Sequence, residues 1–118
     1  MKEININGEI YVKKSDVPVM AVDDDMPYVI IRTYSAGVHA GYLKERDYKE
    51  VVLLNSRRLW KWAGAFTLSE MAVNGVSKPD ECKFTIEIPE ITLTEAIEII
   101  TCTEKGKNII RGVKAYEC

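Results

Sequence analysis

A chain of 118 residues with 47% hydrophobic and 29% charged residues has the balance of one globular domain and excludes a disordered or fibrous chain. Its 16 Lys and Arg against 18 Asp and Glu leave a net charge of -2, which gives no general attraction to DNA or RNA. The 3 cysteines, Cys82, Cys102 and Cys118, include no C-x-x-C pair and argue against a disulfide framework or a zinc site. No apolar run approaches the roughly 18 residues of a membrane span, and Met1-Lys2-Glu3 lacks the apolar region of a signal peptide, so a cytoplasmic protein is expected.

Asn7-Gly8 between two isoleucine-rich runs predicts an N-terminal hairpin within residues 1–13, because both residues accept positive φ. Residues 15–27, with two prolines and Asp23-Asp24-Asp25, read as a solvated loop. The three aspartates lack the alternating ligand spacing of a calcium loop. Residues 28–34 and 38–43 are β-rich around a break at Ser35-Ala36-Gly37. Two further β-rich runs, 50–54 and 56–63, extend an antiparallel meander. Thr67 and Glu70 form a capping box that starts a short helix near residues 67–74, ended by Gly75.

Residues 83–88 alternate Phe84, Ile86 and Ile88 against Lys83, Thr85 and Glu87, which predicts a half-buried strand ended by Pro89. Residues 92–101 suit a helix by the spacing of Leu93, Ala96, Ile97 and Ile100, and a strand by their density of Thr and Ile; the strand is preferred. Thr103 can cap a final helix within residues 102–112, which Gly106 weakens by about 1 kcal/mol relative to alanine. The expected fold is therefore a single α+β domain. It has an antiparallel sheet core over residues 28–101 and one or two short helices.

His39 is the one histidine, so a His-rich metal site cannot be built, and no G-x-S-x-G or other nucleophile signature accompanies it. Its plain reading is a hydrogen-bonded residue in a sheet turn. Gly37 and Gly41 allow a backbone to approach an anion, or simply shape a hairpin; the Walker A ending is absent. No catalytic residue, metal or cofactor is expected.

The densest chemical signal is Asn55-Ser56-Arg57-Arg58-Leu59-Trp60-Lys61-Trp62. On a strand, Asn55, Arg57, Leu59 and Lys61 share one face; Ser56, Arg58, Trp60 and Trp62 share the other. Guanidinium groups suit phosphate, and indole or guanidinium planes suit a nucleobase. Trp60 alone reads more readily as core, with Arg58 covering an indole. Residues 44–61 hold six basic and three acidic residues, whereas residues 80–98 hold six acidic residues and one lysine, read as a solvated acidic face.

Three stretches together carry a resemblance: Arg32-Thr33-Tyr34-Ser35-Ala36-Gly37-Val38-His39, then Asn55-Ser56-Arg57-Arg58-Leu59-Trp60, then residues 89–100, reading PEITLTEAIEII. They resemble small phage and prophage proteins of the Thoeris anti-defence sponge type, over roughly residues 28–112. The resemblance implies a non-catalytic protein of the infected bacterial host cytoplasm. Such a sponge sequesters a cyclic ADP-ribose isomer made by TIR enzymes, a gcADPR-type signal, and releases it unmodified. It further implies a homo-oligomer, dimer or hexamer, with cyclic oligonucleotides as further ligands.

A ligand with adenine, riboses and a pyrophosphate needs cations, hydrogen bonds and a stacking surface. Arg57 and Arg58 are the candidates for phosphate, Phe84 or Trp60 for stacking, Asn108 and Arg111 for an arm from the last helix, and Tyr34 and His39 for ribose contacts. The competing reading is a phage protein that inhibits a host defence enzyme by direct contact through the acidic stretch.

Overall fold

Short turns set the first half of the sheet. The computed structural model describes residues 20–117; the expected hairpin over 1–13 lies outside them. β1 (Val22–Asp23) and β2 (Met26–Thr33) are joined through Asp24 and Asp25, with φ of 52° and 64°. Of the loop expected over residues 15–27, residues 15–19 lie outside the described residues, and the aspartate run is a tight hairpin turn at residues whose short polar side chains tolerate the left-handed region. β3 (Val38–Asp47) pairs with β2 from Tyr28↔Tyr42 to Arg32↔Val38. β4 (Glu50–Lys61) returns along β3 from Asp47↔Glu50 to His39↔Arg58.

β4 is one strand where the sequence suggests two. The break at Asn55 is a bulge: Ala40 pairs with Arg57 and Tyr42 with Leu54, so two residues between the pairs on β4 oppose one on β3. Asn55 takes φ 49°. The residue opposite is Gly41, where an added Cβ would stand 3.0 Å from the Leu54 carbonyl oxygen and 3.1 Å from the Ser56 Cα. Gly41 therefore serves close backbone approach rather than a turn.

β5 (Lys83–Phe84) and β6 (Ile88–Leu93) both pair with β4, and β7 (Ala96–Thr101) pairs with the far edge of β2. In a flat sheet β6 and β7 would lie four strand spacings apart, about 19 Å. Only Thr94 and Glu95 separate them, and three residue steps reach at most about 11 Å. The sheet must curl, and it does: Leu93 beside Val51 and Ala96 beside Thr33 draw its two edges toward each other.

The curl creates two cores. Val29, Ile31, Val51, Leu53, Leu93 and Ala96 fill its inside, with Leu43, Ile91 and Ile99 packed against them. Tyr28, Ile30, Ala40, Tyr42 and Leu59 form the outer face, covered by Met71, Ala72 and Ile110 of the helices. Both faces of β2 are therefore buried, which is why it reads as an unbroken apolar run.

α1 (Leu68–Asn74) is capped by the Thr67 hydroxyl, which accepts from the Glu70 N–H, and ends at Gly75 with φ 73°. α2 (Glu104–Gly112) is capped in the same way by Thr103, which accepts from the Gly106 N–H. Gly106 costs helix propensity but permits the crossing of the two helices: a Cβ there would lie 2.1 Å from the Ala72 carbonyl oxygen.

Two expectations for the third quarter of the chain fail. Pro89 does not end a strand but lies within β6, and only the two-residue β5 forms before it. Pro is tolerated there because β6 is bonded on one side only, to β4. Ile86 and Ile88 are not inward partners of buried Phe84 but are exposed, because residues 85–87 leave the ladder. Residues 92–101 are extended as expected, as the end of β6, a turn and β7.

Candidate functional site

The bulge at Asn55 decides which arginine goes where. In a strand one extra residue moves every following side chain to the opposite face. Val51 and Leu53 point into the curl, but after the bulge Arg57 and Leu59 join the outer core. Ser56 and Arg58 then share the inner side with His39, the cross-strand partner of Arg58.

At the mouth of the curl is a cavity of about 180 Å³ lined by His39, Ser56, Arg57, Arg58, Thr85, Ile88 and Ile91. The apolar wall comes from β6 and the polar groups from β3, β4 and the segment 85–87. Arg58 is exposed and has no carboxylate partner among the described residues. The Ser56 hydroxyl is buried and has no hydrogen-bond partner among them. A buried hydroxyl without a partner costs about 1–3 kcal/mol, which a ligand or water entering the cavity would recover.

His39, 1% exposed, holds the Ala36 carbonyl through Nε2 at 2.9 Å. A carbonyl only accepts, so the proton is on Nε2 and Nδ1 is left as an acceptor. Burial pushes the imidazole below its usual pKa, outweighing the Ala36 hydrogen bond, and nearby Arg58 acts in the same direction. The mouth thus offers a cation, a neutral acceptor and a hydroxyl beside an isoleucine wall. That set suits a phosphate ester carrying hydroxyl groups.

Arg57 is differently employed. It is 3% exposed, and its guanidinium donates to the carbonyls of Thr85 and Phe84 on one side and of Ile110, Arg111 and Val113 on the other. The last three close the C-terminal end of α2, where unpaired carbonyls concentrate partial negative charge. Expected to hold phosphate, Arg57 instead borders the cavity with its donors committed to the fold. Phe84, expected to stack on a ligand, is 0% exposed and lies under Arg57, 5.4 Å from ring centroid to guanidinium.

Arg111 makes a bidentate pair with Glu87, at 2.6 and 2.8 Å. The Glu87 carboxylate is the main reason the guanidinium is held above its usual pKa. Arg57 and Arg111 together fasten segment 84–88 to α2, and that segment supplies Thr85 and Ile88 to the cavity wall. Asn108 is exposed on α2, which packs on the outer face of the sheet, and Tyr34 is 76% exposed in the turn after β2; neither lines the cavity. Trp60 is not core but exposed, whereas Trp62 packs against the outer core, so the two indoles do not stand side by side. A second register shift between Leu59 and Lys61 separates them.

The acidic stretch is largely solvated as expected, with only Glu87 half-buried, and four of its carboxylates have partners. Glu87 pairs with Arg111, Glu98 with Arg32 and Glu90 with Lys44, and Glu95 accepts from the Ser35 hydroxyl. Among the described residues no group of three or more His, Cys, Asp or Glu is placed to hold a metal, and no helix is long and apolar enough to cross a membrane. Burial pushes the Cys102 thiol up to about 12, so it remains a thiol near neutrality.

Ser56, Thr85, Ile88 and Ile91 complete the site and were not singled out from sequence. Their one signal was Asn55, a residue tolerant of positive φ set inside a β-rich run. A family model for DUF6948, a domain of unknown function, matches residues 26–110. No curated protein and no solved structure matches the chain. The chain belongs to the DUF6948 family.

Proposed function

We propose that this member of the DUF6948 family is a binding protein that captures a phosphorylated nucleotide at the mouth of its curled sheet and releases it unchanged. The observation that carries this reading is Arg58 beside the Ser56 hydroxyl in one cavity, neither side chain with a partner among the described residues. Binding is favoured over turnover because the two groups nearest to a nucleophile and base are not coupled. His39 donates its Nε2 hydrogen bond to the Ala36 carbonyl, and the Ser56 hydroxyl has no partner among the described residues.

Within that class, the ligand is a cyclic ADP-ribose isomer made by TIR enzymes, and the role is that of a phage sponge that starves the effector of a Thoeris defence system. Support comes from the resemblance in residues 32–39, 55–60 and 89–100 and from the match between phosphate and hydroxyl chemistry and the cavity lining. At about 180 Å³ the cavity falls below the roughly 300 Å³ at which whole-ligand pockets begin, so it takes the phosphate and ribose end of such a ligand. The rest reaches beyond it, which fits a site shared with a second copy in a homo-oligomer.

Calorimetric titration with cyclic ADP-ribose isomers tests the reading. After saturation and heat denaturation, chromatography is expected to return intact ligand. A cleaved product would replace the sponge with a degrading enzyme, and a stoichiometric host protein in place of ligand would favour direct inhibition.

A further inference from the structure

Trp60 follows Arg58 by two residues on β4, on the side away from buried Leu59. The residue is 67% exposed, although a large aromatic side chain gains much by leaving water. Lys83 lies over the same ring, with Nζ 5.2 Å from the centroid, and also 4.7 Å from the centroid of exposed Tyr116. Lys83, like Arg58, has no carboxylate partner among the described residues. Arg58 and Lys83, neither with a carboxylate partner among the described residues, therefore flank a largely exposed tryptophan, with Lys83 resting on its ring. Arg58 and Trp60 are separated by about 6.6 Å of strand, a span comparable to that between a nucleotide's phosphate and its base.

We infer that the Trp60 indole is a base-stacking shelf beside the cavity, so that a nucleotide places its phosphate at Arg58 and its base on the ring face that Lys83 leaves open. The inference rests on the proposed nucleotide-binding function and adds to it a surface that recognises the base. Stacking needs only the π-face of a base, so the shelf adds affinity for any such nucleotide and none for a phosphate lacking a base.

The test uses the full chain with ADP-ribose, ribose 5-phosphate and inorganic pyrophosphate as probes, against Trp60→Ala and Trp60→Phe. Trp60→Ala is expected to weaken ADP-ribose by roughly tenfold to a hundredfold. Ribose 5-phosphate and pyrophosphate should bind it as they bind the parent, and Trp60→Phe should recover part of the loss. The position is exposed, so the fold survives either change. Equal weakening of all three probes, or no weakening of any, overturns the shelf while leaving the cavity reading intact. Failure of the parent chain to bind any probe overturns both.

Discussion

Arg57 and Arg58 are neighbours in sequence and opposites in structure: one guanidinium lies among five backbone carbonyls beneath α2, and the other stands at the cavity mouth with no partner among the described residues. The Asn55 bulge produces the division. Without it, the face alternation would send Arg57 into the curl and Arg58 toward the helices.

Arg57→Ala is expected to act on the fold. It removes the guanidinium from the carbonyls of residues 84, 85, 110, 111 and 113, of which Phe84 keeps the Tyr116 N–H and Ile110 the Val113 N–H as donors. Hydrogen bonds to a charged group contribute about 1.5–3 kcal/mol each, and part of the loss is recovered by relaxation, so a destabilisation of about 3 kcal/mol or more is predicted. Thermal unfolding should show a Tm lowered by on the order of 10 °C. Arg57→Lys should recover little, because an ammonium cannot span both sets of carbonyls.

At Asn55 the backbone and not the side chain is the constraint. Asn55→Gly should leave stability within about 0.5 kcal/mol of the parent, whereas Asn55→Val, β-branched at φ 49°, should cost about 1–3 kcal/mol. Denaturant titration distinguishes the two. Equal midpoints would show that the bulge does not require the left-handed region.

The Glu87–Arg111 pair predicts a coupling between helix and cavity. Both side chains are about one-third exposed, so the pair itself is worth about 1 kcal/mol. Glu87→Gln is expected to lower Tm by a few degrees and, by loosening the Thr85 and Ile88 wall, to weaken ligand binding at temperatures where the fold is intact. A Tm change with unchanged affinity would confine the pair to a structural role.

His39 gives the stability a pH dependence of known sign. Its folded pKa lies below the model-peptide value of 6.5, so between the two values the unfolded chain binds more protons. Stability is therefore full above about pH 6.5 and falls as the pH drops through the folded value. Unfolding midpoints for the parent and His39→Gln, measured from pH 7.5 to 5, should converge as the pH falls, because only the parent loses this contribution.

The elements with local signals were legible in the sequence. Thr67 with Glu70 marked α1, Thr103 marked α2, and the β-rich runs marked an antiparallel sheet. What was not legible depends on partners distant in the chain. Arg57 has the composition of a ligand cation, and only the approach of the end of α2, more than 50 residues away, commits it to the fold. Phe84 alternated correctly but is sealed beneath that same arginine. Trp60 read as core because large aromatics usually are, yet it is exposed beside Lys83, a neighbour on β5 that is more than 20 residues away in the chain. Gly106 read as a weakness of a helix and is a condition for packing two of them.

The most direct measurement is the affinity of cyclic ADP-ribose isomers for the parent chain and for Arg58→Ala, made alongside thermal unfolding of both. Arg58 is exposed and makes no side-chain hydrogen bond among the described residues, so its removal should leave Tm within about 2 °C. Loss of its charge-assisted bond to phosphate should weaken binding by about tenfold or more. An Arg58→Ala chain that folds like the parent and binds these ligands as tightly would contradict a nucleotide site at the mouth of the curl.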